Sequence, residues 1–187
     1  MGAEILATDT AASDADPAAA MIARGDYRGA IARCAVEHGP ALGRLCMAFL
    51  GSQAEAEEAA QEALIAALDA MPSYRGEGTV RAWLFGIARR VCARRLETRV
   101  RRENRLRLVQ ADEAAPGAEA LVATRQLAHR VRAALEQLKP TEREAVVLRY
   151  DSDLSFSEVA EACGIDEAAA RKRVSRALER LRKALCE

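Results

Sequence analysis

The chain is poor in what most functional classes need. Aromatic residues make up only 4% of its 187 residues, and strand-like alternating runs are missing. With Ala, Leu and Arg dominant, this excludes a typical sheet protein and predicts an all-α fold. Histidine is nearly absent: only His38 and His129 occur, and no paired carboxylates sit in a convincing catalytic setting. An enzyme is not expected. No apolar run reaches bilayer-spanning length and no signal peptide is visible, which predicts a cytoplasmic protein without membrane insertion. The five cysteines, Cys34, Cys46, Cys92, Cys163 and Cys186, are odd in number. They read as reduced, buried thiols. Cys34 and His38 share one helical turn and Cys46 follows, yet no fourth ligand is evident. Neither metal nor cofactor is expected.

Net charge is missing as well, because 28 basic residues offset 28 acidic ones. The distribution is uneven. Residues 51–77 carry six acids against Arg75, whereas residues 81–107 carry ten arginines against Glu97 and Glu103. Polyanions respond to the local patch and not to the sum. Half the residues are hydrophobic, enough for a packed core in one domain or two small ones.

The pattern divides the chain into a disordered tail (1–17), an N-terminal domain (18–108), a linker (109–123) and a C-terminal domain (124–187). Asp26 is a candidate helix start, and the Gly39-Pro40 pair is expected to interrupt or re-cap the helix that follows. A helix over 54–71 should turn Ala60, Leu64, Leu68 and Met71 inward, with Ala67 beside them. Its acids Glu55, Glu57, Glu58, Glu62 and Asp69 then form an outer surface suited to docking. A loop over 72–78 leads to Thr79, a candidate cap for a long helix to about residue 108. Trp83 on its apolar stripe is expected to be packed. The crowding of arginines on its later turns suits phosphate forks, and the neighbouring Tyr74 could hold an unpaired base.

In the C-terminal domain, Thr141 and Glu144 have capping-box spacing, as do Ser155 and Glu158. Gly164 suits a left-handed turn, and Asp166 a second cap. Ala170, Val174, Ala177, Leu178, Leu181 and Leu185 form the apolar stripe of a last, basic helix. Two helices joined by a short turn, the second basic, is the geometry that lays a helix in a DNA major groove. A free-standing dimeric helix-turn-helix regulator would account for residues 138–187. It would leave the arginines of 81–107 and the acidic helix unexplained.

Taken in order, these segments resemble the extracytoplasmic-function (ECF) sigma factors, small two-domain promoter-recognition subunits of bacterial RNA polymerase. Residues 57–64 are similar to the family's core-binding stretch, 72–89 to its reader of the minus-ten element, and 138–144 with 164–176 to its minus-thirty-five reader. Ala59, Ala60 and Leu64 stand where larger residues are common, and Arg90 where many members carry Asn. The resemblance implies binding to core RNA polymerase through Glu57, Glu58, Gln61 and Glu62. It implies minus-ten contacts from Tyr74, Arg75, Gly76, Arg81, Arg89, Arg90 and Arg94. It implies minus-thirty-five contacts from Ala168, Ala169, Arg171, Lys172, Arg173, Ser175 and Arg176. Promoter DNA and an anti-sigma factor are the other implied partners. The two readers are expected to hang on a slack tether; a single globule that neutralised the arginines inside it would contradict that picture.

Overall fold

The computed structural model describes residues 16–107, 130–131, 133–135 and 137–186. Every regular element among them is helical. α1 (Pro17–Ala23) starts on Asp16, whose carboxylate accepts from the Ala18 N–H at 2.9 Å. Pro17 occupies the first turn, where its missing N–H costs nothing. The helix begins at Pro17, where the segment read as a tail ends, and residues 1–15 lie outside those described. α2 (Tyr27–Leu50) is capped by Asp26 through the Gly29 N–H and ends on Gly51 at φ 73°. Gly39-Pro40 neither interrupts nor re-caps it; the helix continues through both. Pro40 removes one bond to the Val36 carbonyl, but Val36 is 81% exposed, so water can satisfy that oxygen.

α3 (Gln53–Ala70) runs into a short 3-10 turn at Met71–Ser73. Its buried face is a row of small residues, Ala56, Ala59, Ala63 and Ala67, with Met71 at its end. The expected inner residues Ala60, Leu64 and Leu68 are only partly buried at the edges of that row. The helix is thus rotated from the leucine-centred reading, because alanines let α3 lie close to α2 and α4 while the leucines cover the flanks. α4 (Val80–Arg107) opens where the Thr79 hydroxyl accepts from the Ala82 N–H at 3.0 Å. Leu84, Phe85, Ala88, Val91 and Cys92 are buried, and Trp83 packs half-buried against the core.

The 109–123 linker lies outside the described residues. Before the C-terminal helices, Ala134 and Leu138 are buried. α5 (Pro140–Tyr150) starts at Pro140, with Lys139 in the cap position. The box expected from Thr141 and Glu144 does not form, because a helix begun by proline starts two residues earlier and carries Thr141 into its first turn. Glu144 is buried and faces the N-terminal unit. α6 (Phe156–Cys163) has the full Ser155–Glu158 capping box, with bonds of 2.9 and 3.2 Å. Gly164 turns the chain at φ 66°, and Asp166 caps α7 (Glu167–Cys186) through the Ala169 N–H at 2.7 Å.

α1 to α4 form one helical unit, and α5 to α7 a second. The two units are in contact with each other. The first half of α4 lies directly on α6, and α2 also touches α5. Gly86 permits the approach: a Cβ there would stand 3.3 Å from the Ala162 carbonyl oxygen. Arg143 of α5 donates to the Ala48 and Phe49 carbonyls at the end of α2 and sits 5.8 Å over the Phe49 ring.

Candidate nucleic-acid interface

α7 carries two opposed faces. Ala170, Val174 and Ala177 are buried against α5 and α6. On the other side Ala168, Arg171, Lys172, Ser175 and Arg176 are exposed. Their spacing of three and four residues places them on one stripe. Ala169 and Arg173 flank it, half-buried. Arg171 is held to Glu167 one turn back (Nε to Oε1, 3.1 Å), and its guanidinium lies 4.4 Å over the Phe156 ring. Lys172 and Arg176 have no ion pair among the described residues. Arg180, further along, is turned inward onto buried Glu142 at 2.9 Å and belongs to the scaffold. The arrangement presents a preformed basic edge, one helix wide, to a groove.

The second basic surface is α4 with the loop before it. Tyr74 donates its hydroxyl to the Gly78 carbonyl at 3.0 Å, and its ring centre lies 5.2 Å from that of Trp83. Gly76 and Gly78 have φ of 74° and 94°, left-handed values that close the loop over the start of α4. Burial, followed by the carboxylates of Glu161 and Asp16, raises the Tyr74 pKa, so the hydroxyl stays a donor. Arg75 is exposed in this loop. Arg90 is exposed and has no ion pair among the described residues. Burial of part of its side chain, then the nearby Arg89 and Arg94 charges, lower its pKa.

Arg81 and Arg89 are in a different situation. Arg81 donates to the Ser152 and Asp153 carbonyls at 2.6 and 3.2 Å and lies 3.7 Å from Glu158. Arg89 reaches the Ala162 carbonyl at 3.3 Å and the Glu144 carboxylate at 3.1 Å. Both are neutralised at the seam with the second unit, whereas Arg75, Arg90 and Arg94 stay outside it.

α3 and α4 face each other through opposite charges. Glu58 pairs with Arg95 at 3.0 Å, Glu62 with Arg94 and Arg95 at 3.3 and 2.9 Å, and Glu55 with Arg99. Gln61 and Glu57 are exposed, and Glu57 accepts from Gln53 at 2.6 Å. Sequence reasoning left Arg95 and Arg99 without partners. The signal was present: Glu55, Glu58 and Glu62 share one helix face, as do Arg95 and Arg99. The seam residues Glu144, Glu158 and Glu161 were missed because nothing in local spacing tells an interdomain acid from a capping one.

Among the described residues no group of three or more metal-ligating side chains is gathered, but the Cys46 and Cys92 thiols share a hydrogen bond. Cys34, Cys46 and Cys92 are buried, Cys163 is half-buried, and all four are free. Desolvation pushes the Cys34 thiol up to about 11 and raises Cys163 as well. His38 packs its ring edge toward Phe85.

A helix-turn-helix unit with an open basic edge, joined to a helical unit carrying an arginine-studded helix, defines a two-domain DNA-reading protein. Comparison with known proteins gives the family. Residues 35–102 match the model for sigma-70 region 2, and residues 128–181 match that for sigma-70 region 4. The ECF RNA polymerase sigma factor SigC of Mycobacterium tuberculosis is 31% identical over 141 residues, covering 72% of each chain. SigD of Mycobacterium tuberculosis is 33% identical over 150 residues, covering 76% of this chain and 71% of its own. Among solved structures, CnrH in complex with the cytosolic domain of CnrY is 26% identical with a TM-score of 0.67, covering 92% of this chain and 97% of its own. RpoE of Bartonella quintana, in complex with the anti-sigma factor NepR, is 26% identical with a TM-score of 0.64, covering 82% and 94%. The chain belongs to the ECF sigma factors of RNA polymerase. No helix among the described residues is long and apolar enough to cross a membrane.

Proposed function

We propose that this sigma factor divides its work among three surfaces. The outer edge of α3, with Glu57, Glu58, Gln61 and Glu62, binds core RNA polymerase. Tyr74, Arg75 and Gly76 capture a base flipped from the melting minus-ten element, at a cost of a few kcal/mol that stacking offsets. Arg81, Arg89, Arg90 and Arg94 hold the strand backbone. α7 enters the major groove at the minus-thirty-five element; Ala168, Ala169 and Ser175 lie against base edges, and Arg171, Lys172, Arg173 and Arg176 contact bases or phosphates. The protein acts in the cytoplasm, catalyses nothing itself, and is restrained by an anti-sigma factor. That last role is supported by the two solved relatives, each of which is held by a partner of its own.

The observation that carries this reading is the exposed stripe of α7 on a fully capped helix-turn-helix, in the same chain as an arginine-rich helix on which Arg90 is exposed with no ion pair among the described residues. Reconstituted run-off transcription from a random promoter library tests it. Core polymerase should initiate at a common pair of elements only when this protein is added. Initiation that is independent of it, or that survives neutralisation of both arginine surfaces, would refute the reading.

A further inference from the structure

The core of the N-terminal unit holds a pair of thiols that neither DNA-reading surface nor the docking edge uses. Cys46 lies on α2 and Cys92 on α4, two helices packed on each other. Both side chains are 0% exposed, and the two thiols share a hydrogen bond. The remaining thiols are out of reach. Cys34 shares α2 with Cys46 but sits more than three turns away, about 18 Å along the axis. Cys163 and Cys186 belong to the second unit. The contact is also polarised. The hydrogen bond from Cys92 lowers the Cys46 pKa; burial opposes it, and the Arg95 charge adds to it. The same bond, together with burial, raises Cys92. Cys46 is thus the nucleophile of the pair and Cys92 its proton-bearing partner.

We propose that Cys46 and Cys92 form an oxidation site: a hydroperoxide converts the pair into an internal disulfide that staples α2 to α4. The Cys46 thiolate attacks the peroxide, the O–O bond breaks, and a sulfenic acid forms as hydroxide leaves. The Cys92 sulfur then attacks the Cys46 sulfur and displaces its hydroxyl group, and the Cys92 proton ends in water. Two thiols and one hydrogen peroxide give one disulfide and two waters. Burial selects the oxidant. Hydrogen peroxide is little larger than water and enters by local opening of the helices, whereas bulky oxidants are kept out. The closed loop runs from Cys46 to Cys92, 47 residues that include all of α3. Cross-linking it removes much of the freedom of the unfolded chain. Both sulfurs lie in the core, and Arg90 and Arg94 on the same helix stay exposed. The staple therefore hardens the unit without occupying its outer surfaces.

The test treats the full chain, reduced and folded, with a small excess of hydrogen peroxide at neutral pH. The reaction is quenched in denaturant containing N-ethylmaleimide. Peptide mapping should find Cys46 joined to Cys92 and the other three thiols alkylated. The melting midpoint should rise by about 10 °C and return on reduction. Cys92→Ala should stop at a Cys46 sulfenic acid, captured by dimedone in the same quench, and its midpoint should not respond to peroxide. Cys46→Ala should leave Cys92 a thiol. Native protein in which both residues stay thiols, or reach sulfinic acids without joining, would overturn the site. So would a disulfide that forms only after unfolding in urea, or one that leaves the midpoint where it was. Sulfenic acid captured on Cys92 in Cys46→Ala would overturn the order of attack.

Discussion

Arg89 and Glu144 meet across the two domains, Nη1 to Oε2 at 3.1 Å, with 21% and 12% of their side chains exposed. The pair is dry enough that removing one partner leaves the other poorly solvated. Glu144→Ala is expected to destabilise the protein by about 1–3 kcal/mol, the usual cost of stranding a partly buried charged group. Urea unfolding at neutral pH measures this; a loss below about 0.5 kcal/mol would show that Arg89 finds water as good a partner.

The α6 cap makes a separate claim on stability. Ser155→Ala removes the acceptor for the Glu158 N–H and should cost about 1 kcal/mol, while Ser155→Asp should cost little. Thermal melts of the two variants against the native chain decide the matter. Equal loss in both would place the effect outside the cap.

Among the described residues Lys172 and Arg176 have no competing carboxylate, unlike Arg171 with its Glu167. Replacing both with Ala should reduce the salt slope of duplex promoter binding by about 1.8, two phosphate contacts at roughly 0.9 each. Arg171→Ala with Arg173→Ala should also weaken upstream-element binding and flatten its salt dependence. Slopes that match the native protein would remove α7 from the groove.

Glu58→Lys should abolish retention of core polymerase in a pull-down while leaving the melting temperature nearly unchanged. Glu58 is well exposed, and its bond to Arg95 is backed by Glu62, so an exposed pair worth less than about 1 kcal/mol is all that is lost. Normal retention of the enzyme would move the docking face off this edge of α3.

The Cys34 thiol is held neutral by desolvation, with its pKa pushed up to about 11 from an ordinary 9.0. Above pH 9 the unfolded chain loses this proton before the folded one does, so the folded state binds more protons and stability falls as pH rises. The fall should span pH 9 to about 11. Cys34→Ala should lessen the slope in that window, as read by urea midpoints at successive pH values; an unaltered slope would mean that other groups carry it.

Local chemistry was the legible part of this chain. Asp26, Thr79, Ser155, Glu158, Gly164 and Asp166 each announce a turn or cap through interactions with their immediate neighbours, and each forms as its sequence suggests. The stripe of α7 was legible for the same reason, because helical spacing fixes which side chains share a face. What failed depended on distant partners. Pro40 looks like a break until the exposure of Val36 is known. The leucines of α3 look like its core until α2 and α4 come close enough to need alanines. Glu144 looks like a cap until Arg89 arrives from 55 residues away. Charge complementarity between domains leaves no periodic trace in either one.

The alanine row of α3 has a consequence for the whole N-terminal domain. Four methyl groups set the gap between the helix that bears the acids and the helix that bears the arginines. Glu57 and Gln61 on the exposed edge of α3 can be exchanged without disturbing that gap, but a single larger side chain in the row would wedge the helices apart. The spacing between the two charged faces is therefore the least adjustable dimension of the molecule, and it is kept by its smallest side chains.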